Sequence, residues 1–247
     1  MSMHTFSDST VTAFQLMFSM DPGLWSIVAR SLGVSASACL LGGVLGAALG
    51  AYWGVSRFQA KALLLTLLNT FLALPSVVVG LVVYLLLSRT GPLGFLGWLF
   101  SYKAMVLAQA VLVLPVAAAL TRQVVEDAEL AYGDQWRSLG AGKMMRCCLL
   151  AWNERLALFT IGVVCFGRAI SEVGAVMIVG GNIEGFTRVM TTAIALETSK
   201  GDLPLALALG LVLLLIVGCL NLLLSMFRLI QNHQHQATQQ GLRGWVA

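Results

Sequence analysis

Residues 62–88 read ALLLTLLNTFLALPSVVVGLVVYLLLS, a run without one charged side chain. A helix crosses the hydrocarbon core of a bilayer with about 20 apolar residues. Within that core every backbone N–H and C=O must find a partner inside the protein, which a helix provides by itself. The run is a membrane crossing, and it sets the class of the whole chain. Of the 247 residues, 58% are hydrophobic and 11% are charged, with a mean hydropathy of +0.87. That leaves too little polar surface for a water-soluble globule of this size. The net charge of +4 reads as Lys and Arg on cytoplasmic loops, not as a nucleic-acid footprint.

Working outward, the same test finds four more runs. The expected fold class is an all-α polytopic membrane protein with about five transmembrane helices, at 31–53, 62–88, 104–120, 156–179 and 203–227. The third has room to extend toward Val125. Asp21-Pro22-Gly23 interrupts the apolar sequence ahead of the first, so residues 10–29 are expected as one or two interfacial helices lying on the membrane. No Lys or Arg precedes Arg30, so the basic region of a cleaved signal peptide is missing. The chain divides into an N-terminal interfacial segment (1–30), one transmembrane domain (31–228) with a polar loop at about 126–154, and a cytoplasmic tail (229–247).

Basic residues orient the bundle. With the N-terminus outside, Arg57, Lys61, Arg122, Arg137, Lys143, Arg146, Arg155, Arg228 and Arg243 fall inside, against Arg30, Arg89, Lys103, Arg188 and Lys200 outside. The positive-inside bias then puts the polar loop and the C-terminus in the cytoplasm. The remaining base, Arg168, lies within the fourth run, four residues before Glu172. Four-residue spacing puts both on one helix face, and an unpaired charge at mid-span costs about 2.5–3.5 kcal/mol on insertion scales. Two readings stay open: a structural salt bridge between neighbouring turns, or a polar element at a passage through the membrane.

Other features speak to packing. Gly42, Gly46, Gly50 and Gly54 recur every fourth residue, a small-residue face that lets another helix approach closely. Pro75 and Pro115 each remove a backbone donor and are expected to kink the second and third crossings. Cys39, Cys147, Cys148, Cys165 and Cys219 form no C-x-x-C pair and read as reduced structural thiols. His4, His233 and His235 lie outside every span, and no acid, histidine and nucleophile converge. Neither a catalytic constellation nor a metal site is expected. Gly140-Ala141-Gly142-Lys143 fails as a phosphate-binding loop, because that motif needs a further Gly where Arg137 stands and Ser or Thr where Met144 stands.

The polar loop carries DQWRSLGAGKMMR, residues 134–146. It resembles the cytoplasmic loop motif of ATP-binding-cassette importer permeases, approximately Glu-Ala-Ala, three residues, Gly. Asp134-Gln135-Trp136, then Arg137-Ser138-Leu139, then Gly140 fall in that register, with Gln135 and Trp136 departing from the two alanines. The stretch from 155 to 181, RLALFTIGVVCFGRAISEVGAVMIVGG, is similar to the fourth core span of molybdate-type permeases. LLNTFLALPSVVVGLVVYLLLSRTGPLG (67–94) and TRVMTTAIALETSKGDLPLALALG (187–210) resemble the permease of tungstate importers, and the similarity covers roughly residues 25–228.

The resemblance implies a short cytoplasmic coupling helix, made here of Asp134, Gln135, Trp136, Arg137, Gly140 and Lys143, which docks on an ATPase subunit. It also implies a homodimer with a second permease copy, an extracytoplasmic substrate-binding protein, and a multi-pass place in a bacterial cytoplasmic membrane. No cofactor is expected in this chain, since ATP and Mg would be held by the partner ATPase. The substrate would be tungstate or molybdate. A dianion in a low-dielectric passage needs hydrogen-bond donors. Asn69, Ser76, Ser171, Thr191 and Thr192 are the neutral candidates near the spans, with Arg168 and Glu172 as a neutralised pair between them. The competing readings are a secondary oxyanion transporter, a permease for sulfate or phosphate, and a membrane enzyme. A secondary transporter would be expected to show an internal repeat, and residues 31–120 and 156–228 show none.

Overall fold

The computed structural model describes the backbone of residues 3–19, 21–56 and 59–244, and side chains between residues 10 and 226 of those ranges. The side chains of Arg57, Arg228, Arg243 and the three histidines lie outside the described residues. Among the described residues the chain is helical and without strands. Three helices are long and apolar enough to cross a membrane, or up to five if each of two sharply bent pairs is one crossing.

Helix α1 (Met3–Phe18) packs on α11 (Leu203–Gly244). Helix α2 (Pro22–Ala38) runs through a π-helical turn (Cys39–Gly43) into α3 (Val44–Val55), a continuous segment of 34 residues. Residues 22–29 are thus continuous with the helix of the first crossing, where a separate interfacial helix was expected. The physical reason lies in Asp21-Pro22: the Asp21 carboxylate accepts the Leu24 N–H at 2.8 Å and Pro22 occupies the first helical position. Both are start signals.

The second crossing is not a kinked helix. α4 (Lys61–Ala73) and α5 (Ser76–Leu87) meet at 96°. Leu74 and Pro75 both have extended backbones, with ψ of 131° each. A residue before proline is pushed out of the helical region, and two extended residues in a row redirect the chain. Pro115 behaves differently. It sits inside α6 (Tyr102–Ser138), which stays helical for 37 residues, about 55 Å. The third crossing therefore continues well past residue 120, out of the membrane.

The fourth crossing is bent where the chain enters it and broken before its end. α7 (Lys143–Asn153) meets α8 (Arg155–Ile170) at 76°, and residues 171–173 separate α8 from the short α9 (Gly174–Gly180). α10 (Met190–Lys200) leads into α11, whose backbone stays helical through the expected tail to Gly244.

Along the middle of the molecule α3 lies directly on α6. A Cβ added to Gly42, Gly46 or Gly50 would come 2.4 Å from the carbonyl oxygen of Ala110, Leu114 or Ala118, and at Gly54 it would meet Val125 at 3.0 Å. Only glycine allows two helix backbones this close. Around this seam lie four apolar clusters. One joins α5, α6 and α9, one α1, α2, α10 and α11, one α6 and α8, and one the C-terminal parts of α3 and α6 with α7.

Candidate functional site

Asp134, Gln135, Trp136 and Arg137 do not form a separate short helix. They are the last turn of α6, and the independent short helix is α7. At the junction Gly140 has φ +79°, its N–H bonds to the Arg137 carbonyl at 2.9 Å, and the Ala141 N–H bonds to the Trp136 carbonyl at 3.0 Å. This paired closure of a helix end needs a left-handed residue at its centre. An added Cβ at Gly140 would touch nothing within 4 Å, so conformation demands glycine there, not space. Asp134, the first residue of the short helix that the resemblance implies, would favour the dipole at a helix start. It stands in the last turn, where a carboxylate opposes the macrodipole. Arg137 compensates by donating from Nη1 to Asp134 at 2.8 Å.

The joint is braced from inside by a residue the sequence reading passed over. Glu129 is buried, and its carboxylate accepts from Arg137 Nη2 at 2.7 Å and faces Arg146 Nε at 3.5 Å. One carboxylate thus holds a cation from each arm of the α6–α7 elbow. Gly133, one turn on, makes room: a Cβ there would lie 2.8 Å from the Glu129 carboxyl carbon. Trp136 packs against the buried cluster of Ala51, Val55, Val125, Ala128, Cys147 and Leu150, and the Cys147 thiol donates to the Ala51 carbonyl. Burial pushes the Cys147 thiol up from its usual pKa, consistent with a reduced structural role. Lys143 is exposed with its ammonium over the Tyr52 ring. Outward, the elbow presents Gln135, Leu139, Met144 and Met145 to solvent, with Leu139 and Met144 each 72% exposed. The arrangement is a stiff projection with an apolar tip and a charged rim, suited to a protein partner.

The second candidate region is the junction of the two broken crossings. α5 and α9 lie side by side, each beginning at its break. A Cβ on Gly174 would come 2.7 Å from Val77 and 3.0 Å from the Ser76 hydroxyl, and one on Gly80 would come 2.7 Å from the Ala175 Cα. Glu172 has left the helix, since α8 ends at Ile170. Its carboxylate accepts the Ala175 N–H at 3.2 Å and its carbonyl accepts the Thr191 hydroxyl at 2.7 Å. Among the described residues no ion pair joins Arg168 to Glu172. The spacing was right for a helix, but the helix stops between them. Arg168 is exposed and, among the described residues, carries no ion pair.

The neutral candidates divide. Thr192 is fully buried and bonds the Val189 backbone at both N and O, and Thr191 is buried against Glu172, so their hydroxyls are engaged inside this chain. Ser171 is exposed, with its hydroxyl on the Gly167 carbonyl at 2.9 Å. Ser76 is half-buried at the start of α5, and Asn69 is exposed on α4. Gln109 was missed. It is 3% exposed and donates to the Ala169 carbonyl at 2.9 Å, tying α6 to the end of α8. A lone carboxamide in the apolar run 104–120 was the signal that could have found it.

No family model matches the chain. It is similar to the tungstate uptake system permease protein TupB of Peptoclostridium acidaminophilum, 43% identical over 219 residues, covering 89% of this chain and 96% of that one. The TupB of Campylobacter jejuni is 37% identical over 214 residues, 87% of this chain and 90% of the relative. The molybdenum transport system permease protein ModB of Escherichia coli K12 is 33% identical over 193 residues, 72% and 82% of the two chains.

Proposed function

The chain belongs to the permease subunits of ATP-binding-cassette oxyanion importers, the tungstate and molybdate type, and from that premise we propose that it conducts tungstate. It is a multi-pass protein of the cytoplasmic membrane and a transport component. The near-full-length similarity to two tungstate uptake permeases carries the choice of substrate over molybdate, whose permease is the more distant relative.

The remaining assignments extend that reading. The α6–α7 elbow is the docking projection for a cytoplasmic ATPase, which binds ATP and Mg in place of this chain. The observation that carries this role is an exposed apolar tip, Leu139 and Met144, on a joint stiffened by a buried carboxylate. A second copy of the chain completes the passage, and a substrate-binding protein delivers the anion on the outside. The N-terminus faces outward, because that orientation puts the elbow in the cytoplasm. Asn69, Ser76 and Ser171 line the passage with Arg168. An exposed guanidinium at mid-span, with no carboxylate partner, belongs against water or a second copy and not against lipid. Weakly held donors suit conduction of a dianion, since a tightly bound anion leaves slowly.

The test is reconstitution into proteoliposomes with the cognate ATPase and binding protein. Tungstate uptake should require all three proteins and ATP, and should exceed molybdate and sulfate uptake. Uptake by the isolated chain would sink the reading, and equal rates for the three anions would remove the tungstate assignment.

A further inference from the structure

About two helical turns before Asp134, a second ionic cluster sits on α6 that neither the docking nor the pathway reading uses. Glu126 accepts from Lys61 Nζ at 2.8 Å on one oxygen and from Arg122 Nη1 on the other. Lys61 is the first residue of α4, so the bond joins parts of the chain 65 residues apart. Burial would raise the Glu126 pKa, but the hydrogen bonds and charges of Lys61 and Arg122 outweigh it and hold the carboxyl below its usual range. The Glu126 carboxyl is therefore ionised at neutral pH.

Its position matters because α4 is loosely held. Among the described residues α4 packs chiefly on α6, and Leu68 is its one buried side chain. At its far end it turns through 96° into α5, which is set in the core against α6 and α9. A half-crossing so sparsely packed follows α6 only if something fastens it. α6 itself is unbroken from Glu126 to the elbow, and Glu129 stops the elbow from yielding. A displacement imposed at residues 134–146 thus reaches Glu126 with little loss.

We propose that the Lys61–Glu126–Arg122 cluster is a transmission pin, which makes α4 move with α6 and so carries elbow displacement to the Leu74–Pro75 turn and the start of α5. These are positioning residues for transport and touch neither substrate nor nucleotide. The proposal rests on the elbow being the ATPase docking projection. The pin stands out for its place, not its strength: with side chains 19%, 22% and 31% exposed, solvent screens it, and it adds little to stability.

The experiment uses the reconstituted complex with its ATPase and binding protein, and reads tungstate uptake and ATP hydrolysis together. Glu126→Gln should keep ATPase association and keep hydrolysis within about twofold, while uptake per ATP falls about tenfold. The exchange Lys61→Glu/Glu126→Lys keeps one carboxylate and two cations in the cluster, with an ion pair still joining α4 to α6, and should restore most of that ratio. Lys61→Met leaves the Arg122–Glu126 pair within α6 intact and should lower the ratio alike, so it carries the test if Glu126→Gln does not assemble. An unchanged ratio overturns the pin. So does a parallel loss of hydrolysis and uptake, which marks a merely structural cluster, or an exchange variant that recovers nothing. The docking reading fails separately, if Gly140→Pro leaves ATPase association intact.

Discussion

The elbow and the broken-helix junction are both places where helices end, yet they are held in opposite ways. At the elbow, Glu129 ties both arms by charge, Trp136 fills an apolar cluster, and a paired backbone closure at Gly140 fixes the turn. At the junction the ends are tied by single neutral or capping bonds, Gln109 to Ala169, Thr191 to Glu172, and Glu172 to Ala175. Beside them α5 slides close to α9 over glycines. The joint proposed to pass force on is stiff and charged, its buried carboxylate neutralised by two cations. The joint proposed to open inside the membrane is held by single hydrogen bonds, about 1 kcal/mol for each neutral one.

The comparison can be broken by variants on either side, taken from the largest expected effect. Gly140→Pro cannot adopt φ +79° and loses the N–H that bonds Arg137, so the turn should fail at about 3 kcal/mol or more. Membrane insertion should survive, and co-purification with the ATPase should be lost. Glu129→Ala comes next. Removing the carboxylate strands Arg146, whose side chain is 12% exposed, at about 1–3 kcal/mol or more. ATPase association should fall with it, and a wild-type binding curve would show that the elbow owes its stiffness to packing alone.

At the junction, Gly174→Ala and Gly80→Ala should force α5 and α9 apart at about 1–3 kcal/mol. Here the readout reverses: ATPase association should be normal and tungstate uptake impaired. Loss of association in these variants would mean that the two regions are not mechanically separate. Gly140→Ala should weaken association by about 1–2 kcal/mol, the left-handed penalty for a side chain. Asp134→Asn should have the smallest effect, because that carboxylate is 97% exposed and such pairs contribute little. A large effect there, in binding and not in stability, would mean that Asp134 contacts the ATPase directly.

Much of this division could be read without a structure. The apolar runs, the polar stretch at about 126–154, the glycine face and the similarity to importer permeases are properties of composition and short spacing. The register from Asp134 to Gly140 falls where α6 ends and the chain turns into α7, but it did not reveal the form of that joint. A chain that ends a long helix and one that makes a short helix share the same local signals, and the difference lies in whether α6 continues past residue 120. Pro75 was legible as a disturbance, whereas the 96° angle follows from two extended residues held by α5 packing on α9. Arg168 and Glu172 illustrate the limit most plainly. Their spacing implies a pair only while the helix persists, and its end at Ile170 depends on contacts from Gln109 and Thr191.

By itself, then, the sequence determined the medium, the helical class, the approximate crossings and the family, because hydrocarbon leaves a backbone few choices and long apolar runs declare themselves locally. The tertiary structure alone decided which charges meet. Lys61 finds Glu126 across 65 residues, Glu129 gathers Arg137 and Arg146, and Arg168 has no carboxylate partner among the described residues. Ion pairs between distant segments depend on where helices stop and how closely their backbones approach, and neither is encoded in the spacing of any one stretch.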